Sequence, residues 1–459
     1  MRLADAQGYG ASDNQIVNAV ALDPRSMFDQ GLIRASKPDG GRATPGTAAR
    51  DVWWIDPSRC LLFLILPIYA VSGFLGGEMM SEFGSANFLT TRTILIGSAC
   101  IVMMALGCLA GQNFADRVQS RRTEFDPRRF DQALVTLSIV AIVAHMLLLG
   151  NVLANPAAMI AALKGQAGAI FDVKEQVVKL VGVTSLVNVT PLALVMASHR
   201  RIVRGAPMPL RYRWLFWALC CCVLMRGFIA MERLAIVEAA IAYCLPMFSY
   251  GPRRFRLVGF FPVFGIGAVF TLFSIGEYTR SWPYYIDRYD NFLQFASLRL
   301  LGYISVASNT AAGVFDKFDP VGHPYLTATW FDRLGFGTGD DVGVMDRFMA
   351  AYGNVEYNNP GGVMAAVIDF GMVGGMIYYL AAGAIIGWFY GRYRQCQPIG
   401  LLGYPLFFVG LAILTQLIYW GDPRFITGLA ALAATLIYAC QPSGRRIIRR
   451  LNAPLFRRG

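Results

Sequence analysis

Residues 356–375 read EYNNPGGVMAAVIDFGMVGG, a turn signal followed by an apolar run that carries one carboxylate, Asp369. A carboxylate in such a place can orient or deprotonate a substrate hydroxyl, and Glu356 at the start of the same segment could act in the same way. The alternative is that Asp369 pairs with an arginine on a neighbouring helix. In both interpretations the Asp369 carboxylate needs a partner, which is either a substrate hydroxyl or an arginine.

Arginines form the second group of candidates. The stretch MRGFIAMERLAIVE places Arg226 and Arg233 between two apolar segments. A guanidinium that is buried between apolar segments needs an anion as its partner. The anion could be Glu232 or Glu238 from the same stretch, or it could be a phosphate of a lipid substrate.

Basic and aromatic residues alternate after residue 277. Arg280, Arg288 and Arg299 lie in an aromatic stretch, GEYTRSWPYYIDRYDNF and the residues that follow it. Arginines neutralise phosphates and aromatic faces stack on sugars, so the mixture suits a phosphate-linked glycan. An interfacial aromatic belt of a membrane protein has a similar composition.

His323 is a possible base, although a lone histidine is more often a structural hydrogen-bonding residue. The acidic pair in GTGDD, residues 337–341, lacks the further ligand spacing of a cation site. The nine cysteines show no metal-ligand spacing, and we find no Walker loop, dinucleotide fingerprint or HExxH motif. We therefore expect no metal and no cofactor.

Composition indicates which elements must position these residues. The chain has 459 residues, of which 55% are hydrophobic and 15% charged, and its mean hydropathy is +0.46. Several apolar stretches reach the ~20 residues that cross ~30 Å of hydrocarbon, so we predict an all-α polytopic membrane protein embedded in a lipid bilayer. The net charge of +12 would suggest nucleic acid for a soluble chain. In a membrane protein, however, the positive residues gather on the cytoplasmic side, so we expect no nucleic-acid partner.

Hydropathy predicts about ten transmembrane helices. They are residues 60–77, 93–111, 132–153, 177–197, 213–231, 233–250, 257–276, 361–390, 400–420 and 424–440. Placing both termini in the cytoplasm puts 28 of the 41 Lys and Arg residues on the cytoplasmic side, as the positive-inside rule requires.

This topology divides the chain into five segments. We predict a disordered cytoplasmic tail at 1–58, helices one to seven at 59–276, a large external loop at 277–360, helices eight to ten at 361–440, and a basic cytoplasmic tail at 441–459. The external loop is polar and aromatic, so it should fold against the membrane face and carry the chemistry.

The eighth helix explains where Asp369 lies. Asn359 and Pro360 are a favourable N-cap and first helical residue, and the helix should continue to about Tyr390, roughly 45 Å at 1.5 Å per residue. Counting ~20 residues back from its cytoplasmic end places Asp369 at the outer boundary of the hydrocarbon. The glycines that follow it are spaced for close helix packing: Gly371, Gly375, Gly383, Gly387 and Gly391.

These residues together resemble a known family. The segment NNPGGVMAAVIDFGMVGG, the arginine hairpin RGFIAMER and the large late loop resemble the bacterial Wzy-type polymerases of O-antigen and exopolysaccharide repeat units. The resemblance implies a metal-independent glycosyltransferase of the bacterial inner membrane. It would move a growing glycan from undecaprenyl diphosphate onto the next lipid-linked unit at the periplasmic face, with a chain-length-determining membrane protein as a partner.

The resemblance also implies roles for individual residues. Fixed arginines would stabilise the diphosphate leaving group, and a carboxylate or imidazole would position or deprotonate the acceptor hydroxyl. The diphosphate-binding candidates are Arg226, Arg233, Arg280 and Arg288. The catalytic candidates are Asp369, Glu356 and His323. An O-antigen ligase, which shares the donor, and a flippase or transporter of lipid-linked glycans remain alternatives, as does a structural membrane subunit.

Overall fold

The chain folds almost entirely into helices. The computed structural model describes residues 51–118, 123–164, 166, 169–177, 180, 182–203, 210–230, 232–251, 256–333 and 343–442. Within these residues the β structure is one short antiparallel ladder, in which β1 (Thr123–Phe125) pairs with β2 (Cys440–Pro442). The predicted all-α class is confirmed. Residues 1–50 and 443–459 of the predicted tails, and the GTGDD stretch at 337–341, lie outside the described residues.

The helices follow one another with short connections. They are α1 (Pro57–Cys60), α2 (Leu66–Glu78), α3 (Thr91–Arg117), α4 (Pro127–Ala154), α5 (Pro156–Leu163), α6 (Ala169–Gln176), α7 (Thr190–Val203), α8 (Leu210–Ile229), α9 (Arg233–Tyr250), α10 (Phe261–Arg280), α11 (Trp282–Tyr285), α12 (Phe292–Lys317), α13 (Thr329–Arg333), α14 (Val344–Tyr352), α15 (Ala365–Arg394), α16 (Pro398–Ala412) and α17 (Pro423–Ala439). A π-helical turn, Leu61–Ile65, joins α1 to α2.

Seven helical segments of the described chain are long and apolar enough to cross a bilayer. They are Pro57–Gly77, Thr91–Arg117, Pro127–Ala154, Tyr212–Ile229, Arg233–Tyr250, Val258–Tyr278 and Ala365–Arg394. Their outward faces are rich in exposed large apolar residues, as a lipid-facing surface requires. The prediction of a multi-pass membrane protein is confirmed.

Three of the ten predicted spans are not among these seven helices. The apolar helices near the C-terminus, α16 and α17, have 15 and 17 residues. The predicted span 177–197 is not one continuous helix, because α7 begins only at Thr190 after the 3-10 turn Thr184–Val189. Gly182 has a left-handed φ of 83° and Pro191 fits only the first turn of a helix, so both interrupt the stretch.

One end of the bundle carries the β1–β2 ladder, and we call it the ladder end. Hydrogen bonds between distant parts of the chain join the elements at this end, and three of them follow. The amide of Asp126 donates to the carbonyl of Ala439, Arg392 donates to the carbonyl of Val118 at 3.2 Å, and the indole of Trp54 donates to the carbonyl of Val258 at 2.7 Å.

The other end carries the segment 277–360, and we call it the loop end. This segment contains α12, a 26-residue helix capped by Asn291, which packs along α2. Ser305 of α12 donates to the carbonyl of Ser72 at 3.0 Å, and Asn309 donates to the carbonyl of Ala86 at 2.7 Å. The segment is therefore folded onto the ends of the apolar helices.

Helix α15 packs closely against α3 through glycines. A Cβ atom at Gly387 would lie 2.7 Å from the carbonyl carbon of Cys108, and one at Gly383 would lie 2.9 Å from that of Met104. Gly107 and Gly111 of α3 face backbone atoms of α15 in the same way. The predicted packing role is confirmed for Gly383 and Gly387, since only glycine lets the two backbones approach so far.

The start of α15 differs from the prediction. The helix begins at Ala365, with Met364 at its N-cap position, so Asn359 does not cap it; the side-chain nitrogen of Asn359 donates to Gln416 at 2.7 Å. The residues between form a turn in which Gly361 has a φ of 74°. A second glycine, Gly371, breaks the helix with a φ of 71°, two residues after Asp369.

We expect Gly387→Ala to lower the stability of the α3–α15 interface by about 1–3 kcal/mol, because the added methyl group meets the backbone of α3. Gly267→Ala in α10 is the matched control, since a Cβ there meets no atom within 4 Å. The control should be neutral or slightly stabilising, because alanine favours helix. Thermal unfolding of the purified proteins in one detergent measures both, and equal midpoints would contradict the interface.

Candidate functional site

Charged residues gather at the loop end in three clusters. The first centres on Glu277, whose side chain is completely buried. Arg233 Nη2 lies 2.6 Å from Glu277 Oε1, and Arg299 Nε lies 3.4 Å from Glu277 Oε2. We call this group, with Glu356, the Glu277 cluster. One carboxylate thus binds arginines from two other helices.

Local structure explains how these side chains meet. Arg233 is the first residue of α9, Glu277 lies in the last turn of α10, and Arg299 lies two turns into α12. Gly276 makes room for the guanidinium, because a Cβ there would lie 2.7 Å from Arg233 Nε. The ring of Phe273 lies 4.7 Å below the Arg233 guanidinium and adds a cation–π contact.

Glu356 forms the more exposed side of the Glu277 cluster. Its carboxylate lies 2.6 Å from Arg299 Nη1 and accepts a hydrogen bond from the Tyr285 hydroxyl at 3.1 Å. Arg299 also donates to the Tyr357 hydroxyl at 2.9 Å. Burial and the adjacent Glu356 carboxylate raise the pKa of Tyr285, so this phenol stays a donor. The side chain of Glu356 is 39% exposed, which leaves it accessible to a substrate.

The second cluster lies between α8, α9 and α17. Arg226, which is 4% exposed, donates from Nε to Glu232 Oε2 at 2.8 Å. Arg424 Nη2 lies 3.8 Å from the same oxygen. The buried carboxyl group of Glu238 is close to both arginines and to Tyr419. We call this group the Glu232 cluster, and it adjoins the Glu277 cluster through the consecutive residues Glu232 and Arg233.

The third cluster surrounds Asp369, which is completely buried. Its carboxylate accepts hydrogen bonds from the amide of Leu326 at 3.0 Å, the amide of Thr327 at 2.8 Å and the Thr327 hydroxyl at 2.7 Å. The backbone carbonyl of Asp369 also accepts from the amide of Gly322 at 2.7 Å. Asp369 therefore ties the segment 321–327 to the start of α15.

This arrangement corrects one sequence-based interpretation. The alternative in which Asp369 pairs with an arginine is not found among the described residues, where backbone amides and a threonine satisfy the buried carboxylate instead. Of the three catalytic candidates, His323 lies within electrostatic reach of Asp369, whereas Glu356 belongs to the Glu277 cluster.

The four predicted diphosphate-binding arginines are not gathered at one point. Arg226 belongs to the Glu232 cluster and Arg233 to the Glu277 cluster. Arg280 donates to the Tyr303 hydroxyl at 3.4 Å, its one hydrogen bond within the described chain. Arg288 pairs with Glu82 at 3.4 Å, and both side chains are more than half exposed, so this surface pair contributes little to stability.

The turn between α16 and α17 contacts structural elements at all three clusters. Gln416 donates to the carbonyl of Tyr303 at 3.1 Å, and Tyr419 lies beside Glu238. The carbonyl of Gly421 accepts from Thr329 at 3.1 Å. The turn therefore fixes the positions of α12, α9 and the 321–329 segment at the same time.

Sequence reasoning missed two charged members of these clusters. Glu277 is the lone acidic residue in the apolar stretch 257–280, and that isolation is a usable signal. Arg424 follows Asp422 and Pro423, which cap and begin α17, so it looked like an ordinary residue of a helix start. Arg299 was noted among the aromatic residues but not as the centre of a network.

Together, the apolar helices and the polar loop end define a multi-pass α-helical membrane protein with a charged site at one end of its bundle. Comparison of the chain with protein-family models, with curated proteins and with solved structures finds no match in any of the three.

We expect Asp369→Ala to destabilise the loop end by about 1–3 kcal/mol, because it leaves buried amide donors without an acceptor. Limited proteolysis should therefore cut the variant faster within residues 321–329, and mass spectrometry of the fragments measures this rate. Asp319→Ala, an exposed acidic residue just before that segment, is the matched control. Digestion at the same rate in both variants would show that Asp369 does not hold the segment.

Proposed function

We propose that this protein polymerises undecaprenyl-diphosphate-linked oligosaccharide repeat units into O-antigen or exopolysaccharide. The reaction would take place at the periplasmic face of the bacterial inner membrane. The observation that carries the proposal is the charged network Arg233–Glu277–Arg299–Glu356, built at one end of a bundle of apolar helices. Charged groups that are buried in a membrane protein mark a substrate pathway more often than a purely structural feature.

The distribution of positive charge supports the orientation. With both termini in the cytoplasm, the ladder end would lie on the cytoplasmic side and the loop end outside. Arg392, Arg129 and Arg200 of the described chain all bond at the ladder end or near it. In this orientation the Glu277 cluster lies at the height of lipid headgroups, where a lipid-linked diphosphate would be held.

Preorganised arginines suit a diphosphate leaving group. The carboxylate of Glu277 fixes Arg233 and Arg299 in place before any substrate arrives, so no reorganisation is needed as negative charge develops. Arg280 lies nearby on the same helix as Glu277 and bonds a neutral phenol, which leaves its charge for a phosphate. Arg288 is at the surface and would attract an anionic lipid rather than clamp it.

The acceptor hydroxyl needs an exposed carboxylate. Glu356 fits this role better than Asp369, because Glu356 is partly exposed and Asp369 is buried with its oxygens bonded to the 326–327 backbone. We therefore assign Glu356 to orienting or deprotonating the acceptor, and Asp369 to holding the loop. His323 remains a candidate through its proximity to Asp369.

Deleting the gene tests the proposal directly. Gel analysis of the surface and lipid-linked glycans should show single repeat units where the wild type shows a ladder. A full-length ladder that accumulates on undecaprenyl diphosphate would instead indicate a ligase. Glycans identical to those of the wild type would contradict both activities.

We expect Arg280→Gln to reduce polymerisation about tenfold or more, since removal of one fixed donor to a developing anion has effects of that size or larger. Protein level and thermal midpoint should stay near wild type, because Arg280 is only partly buried and forms one long hydrogen bond. Arg347→Gln is the control, an exposed arginine at the same end. The assay is ladder length in the complemented deletion strain, and equal ladders for the two variants would exclude Arg280.

A further inference from the structure

The Glu232 cluster contains an unusual convergence of charges. Arg226 approaches Glu232 Oε2 with both Nε, at 2.8 Å, and Nη2. Arg424 Nη2, from α17, lies 3.8 Å from that same oxygen. A bidentate arginine–carboxylate pair normally uses both oxygens. Here two guanidinium groups from different helices converge on one oxygen atom, as they would on an oxygen of a phosphate.

One side of the Glu232 cluster is buried, and the other side is partly exposed. The side chain of Arg226 is 5% exposed, whereas those of Glu232 and Arg424 are 29% and 32% exposed. An anion arriving from the loop end would therefore meet Glu232 and Arg424 first. Within the described residues, Asp422, 3.9 Å from Arg424, and the buried Glu238 also face the two arginines, and His145 of α4 lies within electrostatic reach of Arg226 and Glu232.

Glu232 is the member of the pairs with Arg226 and Arg424 that lies outside a helix. It precedes the first residue of α9 with non-helical φ and ψ of −91° and 69°, and its side chain does not cap the helix. Rotation of this side chain would therefore release both arginines without breaking a helix end. Arg226 and Arg424, in contrast, lie within α8 and α17.

We propose that Arg226 and Arg424 form a binding site for a phosphate or diphosphate group, and that Glu232 is its internal occupant, displaced when the anion binds. A diphosphate carries more negative charge and more acceptor oxygens than one carboxylate, which favours the exchange. The identification of the group with a lipid-linked diphosphate rests on the proposed function, but the anion site itself does not. The site adds Arg424 to the residues that would hold a substrate.

The test measures binding of inorganic pyrophosphate to the full chain in phosphatidylcholine nanodiscs by calorimetry. Glu232→Gln keeps the hydrogen-bond acceptor but removes the competing charge, so it should bind pyrophosphate at least tenfold more tightly than the wild type. Adding Arg424→Gln to Glu232→Gln should abolish that gain. Asp346→Asn, which removes an exposed charge at the same end, is the control and should bind like the wild type.

Three results would overturn the site: Glu232→Gln binding no better than wild type, the same gain in Asp346→Asn, or a gain that survives Arg424→Gln. The single variant Arg424→Gln, checked to be folded and monodisperse, shows whether a loss of binding in the double variant comes from unfolding. Farnesyl diphosphate as a second probe separates the sources of the phosphate. Tighter binding than pyrophosphate supports a lipid-linked group, and equal binding supports a soluble one. Because these measurements need no glycan, they stand even if deletion of the gene leaves the glycans unchanged.

Discussion

Glu277 is the residue on which the loop end depends. An isolated carboxylate in the interior of a membrane protein is penalised by several kcal/mol of lost hydration, so it must be paired. Arg233 and Arg299 supply that pairing from α9 and α12, and Glu277 itself belongs to α10. One buried charge therefore sets the relative positions of three helices. The same contacts hold Arg299 against Glu356 and so define the accessible part of the cluster.

Asp369 solves a related problem with different partners. The segment 321–327 is not helical, and its last two residues, Leu326 and Thr327, are buried, where their amide groups have little water to bond. The Asp369 carboxylate accepts from both of these amides, and the helix break at Gly371 lies two residues further along the chain. The charge in the middle of an apolar run thus stabilises irregular backbone. The arginines of the loop-end clusters pair instead with the carboxylates of the Glu277 and Glu232 clusters.

Much of the architecture could be predicted, because it depends on local properties. Hydropathy over a window of ~20 residues identified the long apolar helices, and glycine spacing identified the α15 face that meets α3. Helix ends were less predictable. Asn359 and Pro360 form a good start signal, yet the left-handed Gly361 that follows makes a turn, and α15 begins only at Ala365. The turn outweighed a capping preference worth about 1 kcal/mol.

The sequence by itself determined that the chain is an α-helical membrane protein and that its polar, aromatic segment 277–360 is distinct from its arginine-rich connections. The tertiary structure alone decided which charges meet. Arg299 bonds Glu277 and Glu356, Arg424 approaches Glu232, and Asp369 bonds no arginine of the part of the chain that the structure describes. Such pairing depends on the rotation and depth of helices that are far apart in the chain. Neither hydropathy nor residue spacing encodes those two quantities.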